Sequence, residues 1–174
     1  MTVFNVRPWA LIPLTGIVAV DQLTKWLVVE NLEPVTAYPV IGDVARLYLI
    51  RNSGAAFSMG EGATVVFSVI QMIAVALCVV LAFRVRNPWA VAAVGLIGGG
   101  AAGNLIDRIL RDPGALHGHV VDFVSVGSFA IFNVADAAIS VGVVVYLVYA
   151  LLIEPRQEKR QEKETDGENG VQAS

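Results

Sequence analysis

Two stretches of this chain, Gly62 to Phe83 and Asn87 to Ile106, contain no charged residue. Each is long enough to cross a hydrocarbon layer of about 30 Å as a helix. A backbone in lipid has to satisfy its own polar groups, which leaves little besides a helical bundle for such stretches. Phe123 to Ile153 carries only Asp136, and its part from Phe132 makes a further span; Trp9 to Val29 makes another, interrupted by Asp21 and Lys25. The expected fold is an all-α membrane protein with four transmembrane helices, at about 9–29, 63–83, 88–107 and 132–153. A small outer β-rich cradle (32–61) and a membrane-surface loop complete it. Residues 1–153 read as a single membrane domain, and 154–174 as a charged, disordered cytoplasmic tail without an apolar face.

The composition agrees: of 174 residues, 56% are hydrophobic and 16% charged, which suits one compact membrane unit. The net charge of −3 includes an acidic tail, and the body shows no sign of nucleic-acid binding. A single cysteine excludes an internal disulfide, and Cys78, in an apolar run, reads as packing. Arg7 followed by an apolar run has the outline of a secretory leader. The run continues to Val29, however, and Asp21 and Lys25 are no small-residue cleavage site, so the span is expected to be retained.

Basic residues set the expected orientation. Arg7, Arg84, Arg86, Arg156, Lys159, Arg160 and Lys163 all fall on one side, which the positive-inside rule makes cytoplasmic, while Arg46, Arg51 and Arg111 fall outside. Trp9 and Trp89 would mark the inner interface and Trp26 the outer one. In the first outer segment, the period of two from Ala45 to Ile50 predicts a short strand and "NSG" a turn. The second, Arg108 to Ile131, starts polar, turns at "DPGALHG" and becomes apolar around "HVVDFVSV".

The polar residues inside the spans share one depth. At ~1.5 Å per helical residue, Asp21 and Lys25 lie roughly 18 and 24 Å beyond Trp9, Asn104 and Asp107 about 24 and 29 Å beyond Pro88, and Asp136 about 25 Å from Ile153. A buried charge costs on the order of several kcal/mol, so convergence on one outer cavity explains the pattern. Helical spacing pairs Asp21 with Lys25, places Asn104, Asp107 and Arg108 on one side of a helix, and puts Asn133 three residues before Asp136. Asp122 stands among Val120, Val121, Phe123 and Val124, a costly place for an idle carboxylate.

These residues also have bland readings. Asp21 and Lys25 serve equally as a structural ion pair, Asn133 as a helix cap, and Arg108, Arg111, His117 and His119 as solvated interface or loop residues. Two close carboxylates suit an aspartic hydrolase, in which they share a proton. A Ser/Lys enzyme using Lys25 with Ser53 or Ser58 competes, although Asp21 favours the charged amine. A metal site from Asp107, Asp122, Asp136 and His119 is open in composition, without a recognised ligand spacing. A transporter would place charges across the whole membrane, whereas these stop at the outer third; a membrane scaffold is the remaining reading. "GGGAAGNLIDR" is no phosphate loop, since no Gly-Lys-Ser/Thr follows. Gly95, Gly99 and Gly103 recur every four residues and form a thin stripe for close helix packing.

Five stretches in order, "DQLTK" (21–25), "RNSGAAFS" (51–58), "GNLIDR" (103–108), "VVDF" (120–123) and "FNVADAAI" (132–139), make residues 9–153 resemble the bacterial lipoprotein signal peptidase, or signal peptidase II, family. The resemblance implies an aspartic endopeptidase of the cytoplasmic membrane, multi-pass, with both termini cytoplasmic and its site near the outer face. Such an enzyme removes the signal peptide of diacylglyceryl-modified prolipoproteins on the amino side of the lipidated lipobox cysteine. It places the catalytic pair on Asp122 and Asp136, and substrate-positioning or structural roles on Asp21, Lys25, Asn52, Asn104, Asp107, Arg108 and Asn133. It further implies no metal or organic cofactor, contact with membrane phospholipid, inhibition by globomycin-like peptides, no nucleic-acid partner and a monomer. "DPGALHG" lengthens the connection between Arg108 and Asp122 relative to the family pattern, and the tail after Glu154 is an extension.

Overall fold

The computed structural model describes residues 9–54 and 61–155. Four helices carry the chain: α1 (Leu11–Asn31), α2 (Glu61–Ala82), α3 (Pro88–Leu110) and α4 (Val134–Val148), the last continued by a π-helical turn, Tyr149–Ile153. All four are long and apolar enough to cross a membrane. They match the expected spans to within about three residues, and α3 runs past Asp107 so that Arg108 lies in its last turn. The charged tail from residue 156 onward, Ser58 and Arg7 lie outside the described residues.

α3 is the central helix, packed against α1, α2 and α4. Its glycines explain how it reaches three neighbours at once. The stripe of Gly95, Gly99 and Gly103 faces α1, against Pro13, Ile17 and Asp21 in turn, whereas Gly98 meets Cys78 of α2 and Gly100 meets Ala135 of α4. The lipid-side faces of α2 and α4 stay apolar and exposed, as at Ile70, Ile73, Leu77, Val144 and Leu147. A methyl group at Gly99 would sit 2.7 Å from both Ile17 Cβ and Leu14 O, neither of which can rotate away. Gly99→Ala is therefore expected to push α1 outward and lower the thermal unfolding midpoint in detergent, at a cost of about 1–3 kcal/mol. Gly16→Ala, where a Cβ meets nothing within 4 Å, is the control and should leave the midpoint unchanged or slightly raised.

A three-stranded antiparallel sheet of order β1-β2-β3 covers one end of the bundle: β1 (Ala37–Ile41), β2 (Ala45–Asn52) and β3 (Val120–Val126). β2 contains the predicted strand. β3 completes the sheet from the other outer segment, where alternation gave no sign of it, because Val120 to Phe123 are buried in succession. Val28, Leu49, Val121 and Phe123 form the core between sheet and α1. β2 pairs with β3 with Ile50 opposite Asp122, and after a turn Phe132 returns to pair with Val124 before α4 begins. "DPGALHG" folds back on the bundle: Ser68 of α2 donates to Leu116 O at 2.6 Å, and Gly118 N donates to Arg108 O at 3.0 Å.

Candidate active site

Asp122 comes from β3 and Asp136 from the first turn of α4, and three asparagines connect them. Asn133 is the N-cap of α4. Its Oδ1 accepts from Asp136 N at 3.0 Å, while Asp136 Oδ2 accepts from Asn133 N at 3.2 Å, a reciprocal capping box. That backbone N–H fixes which way the Asn133 amide faces, since the amide oxygen must meet the donor. Its Nδ2 is left to donate to Asp122 Oδ1 at 2.7 Å and to Asn104 Oδ1 at 3.0 Å. Capping and site geometry are therefore one feature, not alternatives.

Asn104 is oriented by Lys25. The ammonium donates to Asn104 Oδ1 at 2.9 Å, so Asn104 Nδ2 faces Asp136 Oδ1, at 2.8 Å. Asn52, at the end of β2, is oriented by Gly54 N, which donates to its Oδ1 at 2.8 Å; its Nδ2 then donates to Asp122 Oδ2 at 2.9 Å. Each of the four carboxylate oxygens of Asp122 and Asp136 thus accepts a bond from a neutral N–H: Asn52 and Asn133 on one, Asn104 and the Asn133 backbone on the other.

The charges are kept one step away. Lys25 is fully buried and bonds Asp21 at 2.8 Å and Asp107 at 2.9 Å. Asp21 Oδ1 also accepts from Ala135 N, tying α1 to α4, and Asp107 Oδ2 accepts from Val121 N, the residue before Asp122. With Arg111 on Asp107 Oδ1 at 2.7 Å, two cations balance two carboxylates in this group. Arg108 lies within electrostatic reach of both Asp122 and Asp136. Its Nη1 is spent on Asn52 O and Gly118 O, and its buried Nε has no partner. One cation facing two carboxylates is neutral when the pair holds a single proton. Burial, the largest influence, lifts the Asp122 carboxyl from 3.8 to about 6, and the nearby Asp136 charge adds to this against the Asn52 and Asn133 hydrogen bonds.

All nine residues singled out in the sequence belong to one connected cluster. Lys25 is not available as an amine base: its three N–H groups serve Asp21, Asp107 and Asn104. Among the described residues no three His, Cys, Asp or Glu converge, so Asp107 and His119 do not join Asp122 and Asp136 as a ligand set. Arg111 is not merely solvated; its i,i+4 spacing to Asp107 was the signal for the pair. Gln22 was not anticipated. It donates to Gly103 O at 2.9 Å and to Asp21 and Asp107, each at 3.2 Å. Adjacent to Asp21 in sequence, it lies off that residue's helical face, and it reaches α3 only because glycine leaves that backbone open.

Fold and site together define a multi-pass membrane protein with two carboxylates, Asp122 buried and Asp136 half-buried, gathered at one end of its helices. A family model described as Signal peptidase (SPase) II matches residues 14–152, and the chain belongs to that family of lipoprotein-processing peptidases. It is 45% identical over 151 residues to the lipoprotein signal peptidase of Rhodococcus jostii, covering 86% of this chain and 76% of the relative. It is 44% identical over 135 residues to the one of Mycobacterium avium, covering 78% and 74%. Among solved structures it resembles a bacterial membrane enzyme determined by the in meso method at 1.9 Å, with a TM-score of 0.72, 28% identity and coverage of 83% of this chain and 93% of that one.

Proposed function

We propose that this chain is an aspartic endopeptidase that cleaves diacylglyceryl-modified prolipoproteins on the amino side of the lipidated cysteine, with Asp122 and Asp136 as its catalytic pair. The observation that carries the reading is the set of four neutral N–H donors on the two carboxylates, with the nearest ammonium held behind Asn104. Direct salt bridges would hold both acids ionised; neutral donors let them share a proton, and the titration belongs to the pair.

In the reaction the ionised carboxylate takes a proton from water as its oxygen bonds to the carbonyl carbon preceding the cysteine. The other carboxyl gives its proton to the carbonyl oxygen. A proton then passes to the peptide nitrogen as the C–N bond breaks, releasing a new carboxyl group and the amine of the lipidated cysteine. Arg108 Nε, buried and unpartnered, has an N–H left to donate to a substrate carbonyl. Asp21, Lys25 and Asp107 hold Asn104, α4 and β3 in place, and Asn52 and Asn133 orient the pair. The domain (1–153) lies in the cytoplasmic membrane with both termini and the 154–174 tail inside. Its site opens near the outer face, where the signal helix enters laterally, and globomycin-like peptides would occupy the same place. The enzyme acts as a monomer in contact with phospholipid.

The test is cleavage of a diacylglyceryl-modified prolipoprotein in detergent, with mass spectrometry of both products. A new N-terminus at the lipidated cysteine, insensitive to chelator and to Ser53→Ala, is expected; cleavage at another bond, or none, rejects the reading. The pH profile adds a second test. The Asp122 carboxyl is raised to about 6, so the shared proton is present below that pH and is lost as pH rises through it. kcat/KM is expected to fall along that limb. Asn52→Ala removes a donor that favours the anion and should move the limb to higher pH; a shift downward contradicts the assignment.

A further inference from the structure

The end of the bundle opposite the carboxylate pair holds a cleft of about 440 Å³ between α2, α3 and the end of α4. Its wall is apolar, with Leu81, Val85 and Val94, and its mouth carries Arg86, Tyr146 and Glu154. Arg86 and Glu154 line one cleft yet do not pair with each other, and Arg86 has no ion-pair or side-chain hydrogen-bond partner among the described residues. Glu154 is held in place by the Tyr149 hydroxyl, which donates to Oε1 at 3.0 Å. Tyr149 opens the π-helical turn that ends α4, and a π turn brings residues five apart together, as 149 and 154 are. That turn is what points Glu154 back over the cleft.

The position fixes what meets this cleft. Arg86 precedes α3, whose 23 residues carry it roughly 35 Å from the far end of that helix, so the mouth lies at the headgroup level of one leaflet, with the apolar wall toward the acyl region. A cation and an anion held apart across a mouth complement a headgroup that carries both signs. We propose that this cleft binds a phospholipid with a phosphate and a primary ammonium, an ethanolamine-type headgroup. Arg86 takes the phosphate, Glu154 accepts from the ammonium, and one acyl chain lies along Leu81, Val85 and Val94. A glycerol headgroup offers Glu154 no cation, and a choline headgroup offers it no N–H. The site is some 30 Å from the peptidase chemistry, on the order of one hydrocarbon thickness, and does not depend on the reaction assigned there.

The full chain, purified in detergent, is incubated with equal amounts of dioleoyl phosphatidylethanolamine, phosphatidylglycerol and phosphatidylcholine, and bound lipid is read by native mass spectrometry. Retention of the ethanolamine lipid is expected to exceed the other two by about tenfold, the scale of one charge-assisted hydrogen bond. Arg86→Ala should lower it to the choline level, and Glu154→Gln should bring ethanolamine and glycerol lipids to parity. Both residues are exposed, and a thermal unfolding midpoint in detergent equal to that of the wild type certifies that the variants are folded. Equal retention of the three lipids by the wild type, or retention unchanged in Arg86→Ala, overturns the proposal. Displacement by millimolar phosphoethanolamine as effectively as by the lipid overturns its lipid part and assigns the cleft to the free headgroup.

Discussion

Asp122→Asn and Asp136→Asn are each expected to lower cleavage of a lipidated prolipoprotein by about 10³-fold, the range for losing a group that moves protons in the transition state. An amide cannot take a proton from water, and it cannot hold the shared one. The substitutions are not silent for the fold, and the reason is specific. Asp122 accepts from Asn52 Nδ2 and Asn133 Nδ2 on its two oxygens, and both amides are locked by backbone N–H groups at Gly54 and Asp136. An asparagine at 122 has one acceptor oxygen, so its NH2 must face a donor, which costs about 1–3 kcal/mol. This separates chemistry from stability. Adding Asn52→Ala to Asp122→Asn removes the clash and should restore the thermal midpoint while activity stays absent. A folded Asp122→Asn or Asp136→Asn protein with full activity would end the aspartic reading.

The clustering was legible because lipid is an unforgiving solvent. Asp21, Lys25, Asn104, Asp107 and Asp136 sit at one depth along three of the four helices, and the cost of burying them apart predicts that they meet. The glycine stripe was legible for a similar reason: residues 95, 99 and 103 lie on one helical face, and a face without side chains is useful only against a neighbour. β3 was not legible, since a strand buried on both faces does not alternate. Nor was the hydrogen-bond order. Nothing in "FNVADAAI" says that the Asn133 oxygen is spent on the helix cap and its nitrogen on Asp122. That follows only once Asp136 N, Lys25 and Gly54 N are in position, because each supplies a donor that cannot be reversed. Gln22 shows the same limit: its role depends on how closely α1 approaches Gly103.

Lys25→Met is expected to have the largest effect on stability of any single change, because it leaves Asp21 and Asp107 facing each other without their common cation. Breaking a buried pair from one side costs about 3–5 kcal/mol, which is a large part of the total stability of a typical domain. The two carboxylates are not left equally poor. Asp107 keeps Arg111 at 2.7 Å and Val121 N at 3.1 Å, whereas Asp21 keeps only Ala135 N at 3.0 Å and Gln22 at 3.2 Å. Most of the loss should therefore trace to Asp21, and Lys25→Met with Asp21→Asn should unfold at a higher temperature than Lys25→Met alone. Additive effects, with the double variant the less stable, contradict the network. Activity should not return with stability. Without the ammonium, Asn104 Oδ1 keeps only Asn133 as a donor, so its amide is held by one bond instead of two and the bond that fixes Asp136 is weakened. Recovery of the midpoint without recovery of cleavage is the outcome that distinguishes a residue orienting the site from one that only holds helices together.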